Sequence, residues 1–433
     1  MRIGIQGWGS EGDLRPLLAL GVRLRRRGHE VRLVLSRVDE MDYAPECREH
    51  DVQLQMVPEQ MAYSLRGICQ ASQSKDPAKV SVALMDQAFY PYLEQMYAAA
   101  LELCGRSDVV LGLFSSFYVK AACLKTGTPF ACVHYYPGLI PSREMPPEGF
   151  PSWRWLHPVS WALVGKLIDM AFLKPAAKFY ASKGLPRVRH ALTDVNMSER
   201  LNLIGTSPAL FTHPADWGSR SVLCGHFGMP EAAAPWQPTP ALREFLEAGE
   251  KPILVSLGTM EHLAPERARD LVTSALRQAG VRAIVQTKVG GAGAEEGRDG
   301  DLFWLRWAPH HRLLRHCSAM VLHGGAGTTH AALRGGVPGV VLPFIFEQRL
   351  WGNLLHRAGS APKPLGFWKA TPEKLAALIR EATTSEALRH RAAELGAKVA
   401  DEDGAGVAAK LLENLELDPE QSGQAVTERK HGS

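Results

Sequence analysis

Apolar positions at the start of the chain switch between two periods. Arg2-Ile3-Gly4-Ile5-Gln6 reads as a strand, and Gly7-Trp8-Gly9-Ser10-Glu11-Gly12 as a glycine-rich turn after it. Leu14, Leu17, Leu18, Gly21 and Leu24 then recur at helical spacing. Pro16 falls in the first turn, where its missing N–H costs nothing, and Gly28 suits the helix stop. Val31 to Leu35 is the next predicted strand. Strand, loop, helix, strand is the unit of a parallel α/β sheet. Further strands are predicted over Val52–Val57, Val109–Leu113 and Phe130–His134. From Tyr136 to about Leu185 the rhythm breaks into prolines and aromatics, which read as a helical insertion apolar enough to line a pocket. Its most apolar part, Val159–Leu173, is interrupted by Lys166 and Asp169, and no stretch reaches the roughly 18 uncharged apolar residues of a membrane span.

A second α/β series follows. Strands are predicted at Pro252–Leu257, Val281–Gln286, Phe303–Trp307, Met320–Leu322 and Gly339–Pro343. Helices are predicted over Pro265–Ala279 and Leu375–Leu395, and a polar glycine-rich loop over Gly290–Gly300. The Ala- and Pro-rich stretch from Pro230 to Pro240 marks a linker. The expected division is an N-terminal domain over 1–229, a linker over 230–250, a C-terminal domain over 251–418, and a disordered tail over 419–433. Two doubly wound, Rossmann-like halves would face each other across a cleft, with ligands at the carboxyl ends of their strands.

Composition narrows the function classes. Forty-nine Lys and Arg against 45 Asp and Glu leave a net charge of +4, and no basic stripe suggests nucleic acid. The run Arg23 to Arg27 reads as a solvent-facing helix end, with peripheral contact to anionic lipid a minor alternative. The Asp401-Glu402-Asp403 cluster reads as a solvated face. Seven cysteines at scattered spacings fit a reduced, cytoplasmic protein, and the first residues read as a core strand rather than a signal peptide. His311, His316 and His330 have no metal-ligand spacing and read as surface or packing residues.

The chemistry concentrates between Trp307 and Gln348. A strand leads into His323-Gly324-Gly325-Ala326-Gly327-Thr328-Thr329 at a helix start. Bare N–H groups at a helix N-terminus bind anions, phosphate above all. Thr328 adds a hydroxyl, and His323 can donate or carry charge. Trp307, followed by Ala308-Pro309-His310, offers a flat face for a base. Glu347 and Gln348 offer a carboxylate and an amide to sugar hydroxyls. A base platform, a diphosphate cradle and a hydroxyl clamp together describe a nucleotide-sugar. Each part alone has a bland alternative: core packing for Trp307, a helix start for Glu347-Gln348. An esterase oxyanion loop would need Gly-x-Ser-x-Gly, which the chain lacks. One rival stays open. Gly7-x-Gly9-x-x-Gly12 with Asp39 beyond it could bind NAD(P) or a flavin, making the protein an oxidoreductase. A non-catalytic nucleotide-sugar binder or an epimerase on the same fold also stays open.

The stretch Trp307–Gln348 resembles the donor-binding signature of the family 1 glycosyltransferases, whose fold is GT-B. Gly9-Ser10-Glu11-Gly12-Asp13-Leu14-Arg15-Pro16 is similar to the start of their bacterial antibiotic and sterol branch. Ser207-Pro208, Asp216-Trp217, Trp236-x-Pro, Leu246 and Val255-Ser256-Leu257-Gly258-Thr259 fall where that branch has similar residues. Glu347 stands where the family usually has Asp, and His310 where plant members have Gln; the plant-type catalytic His after the first strand is absent. The resemblance implies an inverting transfer of a hexose, from UDP-glucose foremost, to a hydroxyl of a sterol, polyketide or phenolic. It implies donor contacts from Gly12, Ser256, Gly258, Thr259, Trp307, Ala308, His310, His323, Gly325, Ala326, Gly327, Thr328, Glu347 and Gln348, with no cofactor and no metal. The lipophilic acceptor is expected against Phe114, His134, Tyr135, Trp153 and Trp161. Asp13 is the candidate base, because an alcohol is a poor nucleophile until its proton leaves; its bland alternative is a helix cap. UDP against dTDP, and monomer against dimer, stay open.

Overall fold

The computed structural model describes residues 1–59, 67–68, 77–230, 236–287 and 296–416. The first domain is built on seven parallel strands: β1 (Arg2–Gly9), β2 (Glu30–Arg37), β3 (Gln53–Met56), β4 (Val109–Leu113), β5 (Phe130–His134), β6 (Leu201–Ile204) and β7 (Ser221–Leu223). Their order across the sheet is β3-β2-β1-β4-β5-β6-β7. β4, β5 and β6 are buried along their whole length, as strands covered by helices on both faces must be. The second domain holds β8 (Ile253–Ser256), β9 (Ala283–Gln286), β10 (Gly297–Asp299), β11 (Leu302–Leu305), β12 (Met320–Leu322) and β13 (Gly339–Val341), in the order β10-β11-β9-β8-β12-β13. β10 runs antiparallel to β11; the other described pairs are parallel.

Among the parallel strands of each sheet the order reverses direction once, between β1 and β4 and between β8 and β12. A crevice opens at such a point, because the loops leaving the two strands turn to opposite faces. The segments after β1, β4, β8 and β12 carry Asp13, Phe114, Gly258 and His323. Topology therefore delivers the chemistry-bearing loops to two crevices.

Several boundaries differ from the expected ones. β1 runs to Gly9, so Gly7 and Gly9 are strand residues and the turn shrinks to Ser10. The helix Pro240–Glu247, capped by Thr239, lies inside the expected linker, and its Leu242 and Phe245 pack in the second domain's core. The helix expected over Leu375–Leu395 is two, Pro372–Thr384 and Glu386–Val399, because Ser385 caps the second with its side chain. Part of the predicted loop over Gly290–Gly300 is β10. The remainder of that loop to 295, residues 231–235 of the linker and the tail over 419–433 lie outside the described residues.

The last helix, Gly404–Glu416, follows the second domain in sequence but packs on the first. Ala405, Ala408, Ala409 and Leu412 are buried against Leu17, Leu20 and Leu24 of the first helix, Glu11–Arg26. The arginine run and the acidic cluster stay largely exposed, as read, but several of their charges are paired. Arg23 pairs with Asp403 at 3.1 Å and Arg27 with Glu413 at 2.6 Å. Glu402 accepts from the Ser207 hydroxyl at 3.0 Å.

If this helix completes the first domain's core, Leu412→Ala should lower stability by about 2–5 kcal/mol, the cost of a core Leu truncation. Chemical denaturation measures it. A loss under about 0.5 kcal/mol, the range of surface substitutions, would mean the helix only rests on the domain.

Candidate functional site

On the first-domain side, Ser10 starts the helix Glu11–Arg26 and Asp13 occupies its third position. Asp13 Oδ2 accepts from the Ser10 amide at 2.9 Å and from the Ser10 hydroxyl at 3.1 Å. The cap expected as the bland reading is therefore formed. Both bonds fall on one oxygen, so capping and a role for the other oxygen are compatible. Gly9, at φ +148°, is what lets the carboxylate approach: a Cβ there would stand 2.4 Å from Asp13 Oδ2. Desolvation pushes the Asp13 carboxyl up from the usual range, and the Ser10 hydrogen bonds pull it back only in part.

These contacts overturn the dinucleotide reading of Gly7-x-Gly9-x-x-Gly12. Gly7 makes room for Leu17 and Gly9 for Asp13. Asp39, the candidate ribose ligand, instead accepts from the Glu11 amide at 2.5 Å and the Met41 amide at 3.2 Å. With Glu11, Asp13 and Asp39 around it, this helix start already holds anions and repels a pyrophosphate. Gly12 is exposed in the same first turn of the first domain.

The second-domain side is the opposite case. The helix Ala326–Gly335 starts at Gly325 with no side-chain cap and no acid in its first turn. The Thr329 amide reaches the Gly325 carbonyl at 3.0 Å, while the amides of Ala326, Gly327 and Thr328 have no carbonyl of their own helix to reach. The Thr328 hydroxyl donates to the Gly325 carbonyl at 3.1 Å, so it sits at the helix mouth. His323 closes the cradle. Its ring is wedged between two glycines: a Cβ at Gly258 would stand 2.9 Å from Cε1, and one at Gly325 2.4 Å from Nε2. Nδ1 is buried without a well-formed hydrogen bond, although the Ser256 backbone lies near enough to favour the charged ring. Burial dominates and lowers the imidazole to about 4. His323 is thus a neutral ring at neutral pH, not a cation. Ser256 ends β8 in the core, and Thr259 follows Gly258 into a short 3-10 turn. Trp307 is 45% exposed after β11, a bare indole face, while Ala308 is buried behind it and His310 begins the short helix His310–Leu313.

Glu347 and Gln348 begin the helix Phe346–Arg357, but they do different things. Gln348 is buried, and its amide oxygen accepts from the Phe344 amide at 2.8 Å and the Ile345 amide at 3.4 Å. That oxygen holds the turn, so only the NH2 group of the amide is left to meet a sugar hydroxyl. Glu347 is open to the cleft by surface, yet surrounded closely enough that its carboxyl rises to about 7, by desolvation first and the Asp13 charge second. The two carboxyls, one from each domain, are thus within electrostatic range of each other, which sequence spacing could not reveal.

The expected acceptor residues divide. Tyr135 packs against Phe227, and burial first, then the Asp13 charge, pushes its phenol up. Phe114 is half-buried and packs its ring on His134 at 5.3 Å. His134 itself is a core residue: it is 1% exposed, bonded to Asn202 at 3.3 Å, and pushed down to about 4 by burial. Trp161 is buried with its N–H on the Met145 carbonyl at 2.8 Å, so it anchors the segment before it rather than lining a pocket. Trp153 is exposed and stacks on Trp155 at 6.2 Å, facing outward. Two roles were not read from the sequence. Tyr136 feels the charge of Glu347. His330 accepts from the Ser207 amide at 3.1 Å and so ties the donor helix to the first domain. His330 is buried, as a packing reading allows; His311 and His316 are exposed.

Comparison with known proteins fits this geometry. Residues 3–118 match the glycosyltransferase family 28 N-terminal domain, and residues 301–415 match the erythromycin biosynthesis protein CIII-like C-terminal domain. The O-mycaminosyltylonolide 6-deoxyallosyltransferase of Streptomyces fradiae is 30% identical over 95% of this chain and 97% of its own length. A sterol 3-beta-glucosyltransferase of Arabidopsis thaliana is 33% identical over 48% of this chain and 32% of its own length. Among solved structures, the glycotransferase of kitacinnamycin superposes with a TM-score of 0.68 at 21% identity, over 96% of this chain and 98% of that one.

The raised Glu347 carboxyl predicts a pH dependence. A carboxyl that holds its proton more tightly folded than unfolded stabilises the fold at low pH, and loses that contribution as pH rises through the folded value. The window is from the ordinary 4.5 to about 7. Glu347→Gln removes the titration, so its Tm should gain on the wild type as pH rises across that window. Parallel Tm curves in scanning calorimetry would overturn the placement of Glu347 beside Asp13.

Proposed function

Because the chain belongs to the family 1 glycosyltransferases, in their antibiotic and sterol branch, and so moves a sugar onto a small-molecule acceptor, we propose that it transfers a hexose with inversion from a nucleoside diphosphate, UDP-glucose first, to a hydroxyl of a lipophilic acceptor. One observation carries this reading: the second domain offers an uncapped, acid-free helix start, the first a desolvated carboxyl at Asp13, and the Asp13 charge is felt across the cleft at Glu347. The nucleoside diphosphate lies on the amides of Ala326, Gly327 and Thr328, with neutral His323 donating a hydrogen bond to it and Trp307 under the base. Glu347 accepts from hexose hydroxyls. The acceptor lies near Tyr135 and Phe114, with its hydroxyl on Asp13.

Asp13 takes the acceptor's proton as the oxygen attacks the anomeric carbon from the face opposite the phosphate. The bond to the diphosphate breaks, and its electron pair leaves on the phosphate oxygen. Fixed donors at that oxygen matter most as charge develops. With helix amides and His323 in that place, no divalent metal is needed in the proposed step. A reduced, cytoplasmic setting completes the proposal: six cysteines are free and buried among the described residues.

A donor-by-acceptor screen read by mass spectrometry tests the donor, with UDP-glucose and dTDP-deoxyhexoses as separate arms, since the Streptomyces fradiae relative is named for a deoxysugar. Asp13→Asn keeps the cap but removes the base. Turnover should fall on the order of 10² to 10⁴, with nucleotide affinity nearly unchanged. Near-normal turnover would remove Asp13 from the mechanism.

Chelator should leave most transfer intact. Loss of nearly all activity in EDTA, restored by Mg²⁺ or Mn²⁺, would replace the helix-and-histidine account of the leaving group.

A further inference from the structure

The insertion between β5 and β6 carries a face that sugar transfer does not use. A continuous helical stretch, Arg154–Ser182, is long and apolar enough by length and composition to cross a membrane. It does not read as crossing one. Lys166 and Asp169 interrupt it, and its inner side is fastened to the first domain. His157 meets the Arg143 carbonyl at 3.0 Å, Trp161 bonds the Met145 carbonyl, and Phe179 and Tyr180 enter the core. Its outer side is bare. Trp155, Val159, Leu163, Leu167 and Met170, spaced four, four, four and three apart, are 72%, 63%, 49%, 51% and 74% exposed. That is one helical row of apolar side chains in water. Soluble surfaces rarely carry such a row without an occupant.

Charge selects the occupant. Over residues 151–190 there are seven Lys or Arg and one acid, Asp169. Asp169 is engaged locally, accepting from the Ala191 amide at 2.6 Å. Lys166, Lys174 and Lys178 are exposed on the same helical stretch as the apolar row. A second copy of this face would bring like charges together around the apolar contact, which disfavours a dimer here. An anionic lipid surface satisfies both features: headgroups meet the ammonium groups, and the row sinks about 5–10 Å to the acyl boundary. Lysines reach up from such a depth along their own methylenes. The exposed Trp153–Trp155 stack suits the same boundary.

We infer that the Arg154–Ser182 stretch lies flat on an anionic membrane surface and docks the first domain there. The segment leading into it, through Met145 and Glu148, also touches the second domain, where Asn353 donates to Glu148 at 2.6 Å. Docking therefore places the cleft close to the surface in which a lipophilic acceptor dissolves. The inference rests on the outer face alone and stands whatever the donor or base.

Cosedimentation of the full chain with phosphatidylcholine vesicles, with and without phosphatidylglycerol, tests it. Binding should need the anionic lipid, weaken with salt, and fall at least about tenfold in Leu163→Gln/Leu167→Gln/Met170→Gln and in Lys166→Glu/Lys174→Glu/Lys178→Glu. All six positions are exposed, so both variants should keep the wild-type Tm. Activity needs no vesicles to be measured, so a failure here is separable from a failure of the proposed reaction. No binding, equal binding to neutral vesicles, or undiminished binding by both variants would overturn the inference. So would a dimer in light scattering that the apolar triple variant abolishes without any vesicle binding.

Discussion

The helix Ala326–Gly335 begins with no side-chain cap and no acid in its first turn, and the rest of the cleft is arranged around that vacancy of charge. Aligned peptide dipoles leave roughly half a positive charge at such an end. Proteins usually satisfy it with Ser, Thr, Asp or Asn. The first domain does so at the start of Glu11–Arg26, where Glu11, Asp13 and Asp39 gather. The two domains share a strand-loop-helix plan but have opposite electrostatic fillings. One helix end is already neutralised by the protein's own carboxylates. The other is left for a ligand to neutralise. A diphosphate is attracted to the second and repelled by the first, so the polarity of the cleft follows from where the acids stand.

Holding those two ends in one relation is a problem of domain docking. The last helix crosses back to bury Leu412 in the first domain, and Arg23 and Arg27 fasten its ends to Asp403 and Glu413. Glu413 is held well below the usual carboxylate range, at about 2, by Arg27 and His29. On the donor helix itself, His330 is fixed as a neutral ring, bonded to the Ala326 carbonyl at 2.7 Å and to the Ser207 amide. Ser207 also binds Glu402. One residue of the first domain thus touches both the donor helix and the returning chain.

Much of this was legible in the chain. The parallel strands with alternating helices, the two-domain division and the glycine loops follow from local periodicity and turn chemistry. What local patterning could not reach depends on partners far away in sequence. The Gly9 carbon stands where it does because Asp13 folds back over it, not because a pyrophosphate comes near. Gln348 reads as a ligand residue, and nothing local shows that its oxygen is taken by the Phe344 amide. His134 and Trp161 look like pocket aromatics, and only burial shows them to be packing. β6, β7 and the last helix are short or small-residue segments whose pattern is weak until a neighbour covers them. The Asp13–Glu347 encounter requires both domains and has no sequence signature at all.

That encounter has a consequence for proton handling under the proposed chemistry. Desolvation first and the Asp13 charge second oppose ionisation of Glu347, whose carboxyl rises to about 7. A hexose that donates hydroxyl hydrogens to Glu347 favours its charged form. A charged Glu347 raises the proton affinity of Asp13 in turn, by the same repulsion read from the other side. Asp13 then becomes a stronger base when the donor is in place, and a weaker one when the cleft is empty. The like-charge pair, costly as a feature of the fold, would link sugar binding to removal of the acceptor's proton with no moving part between them.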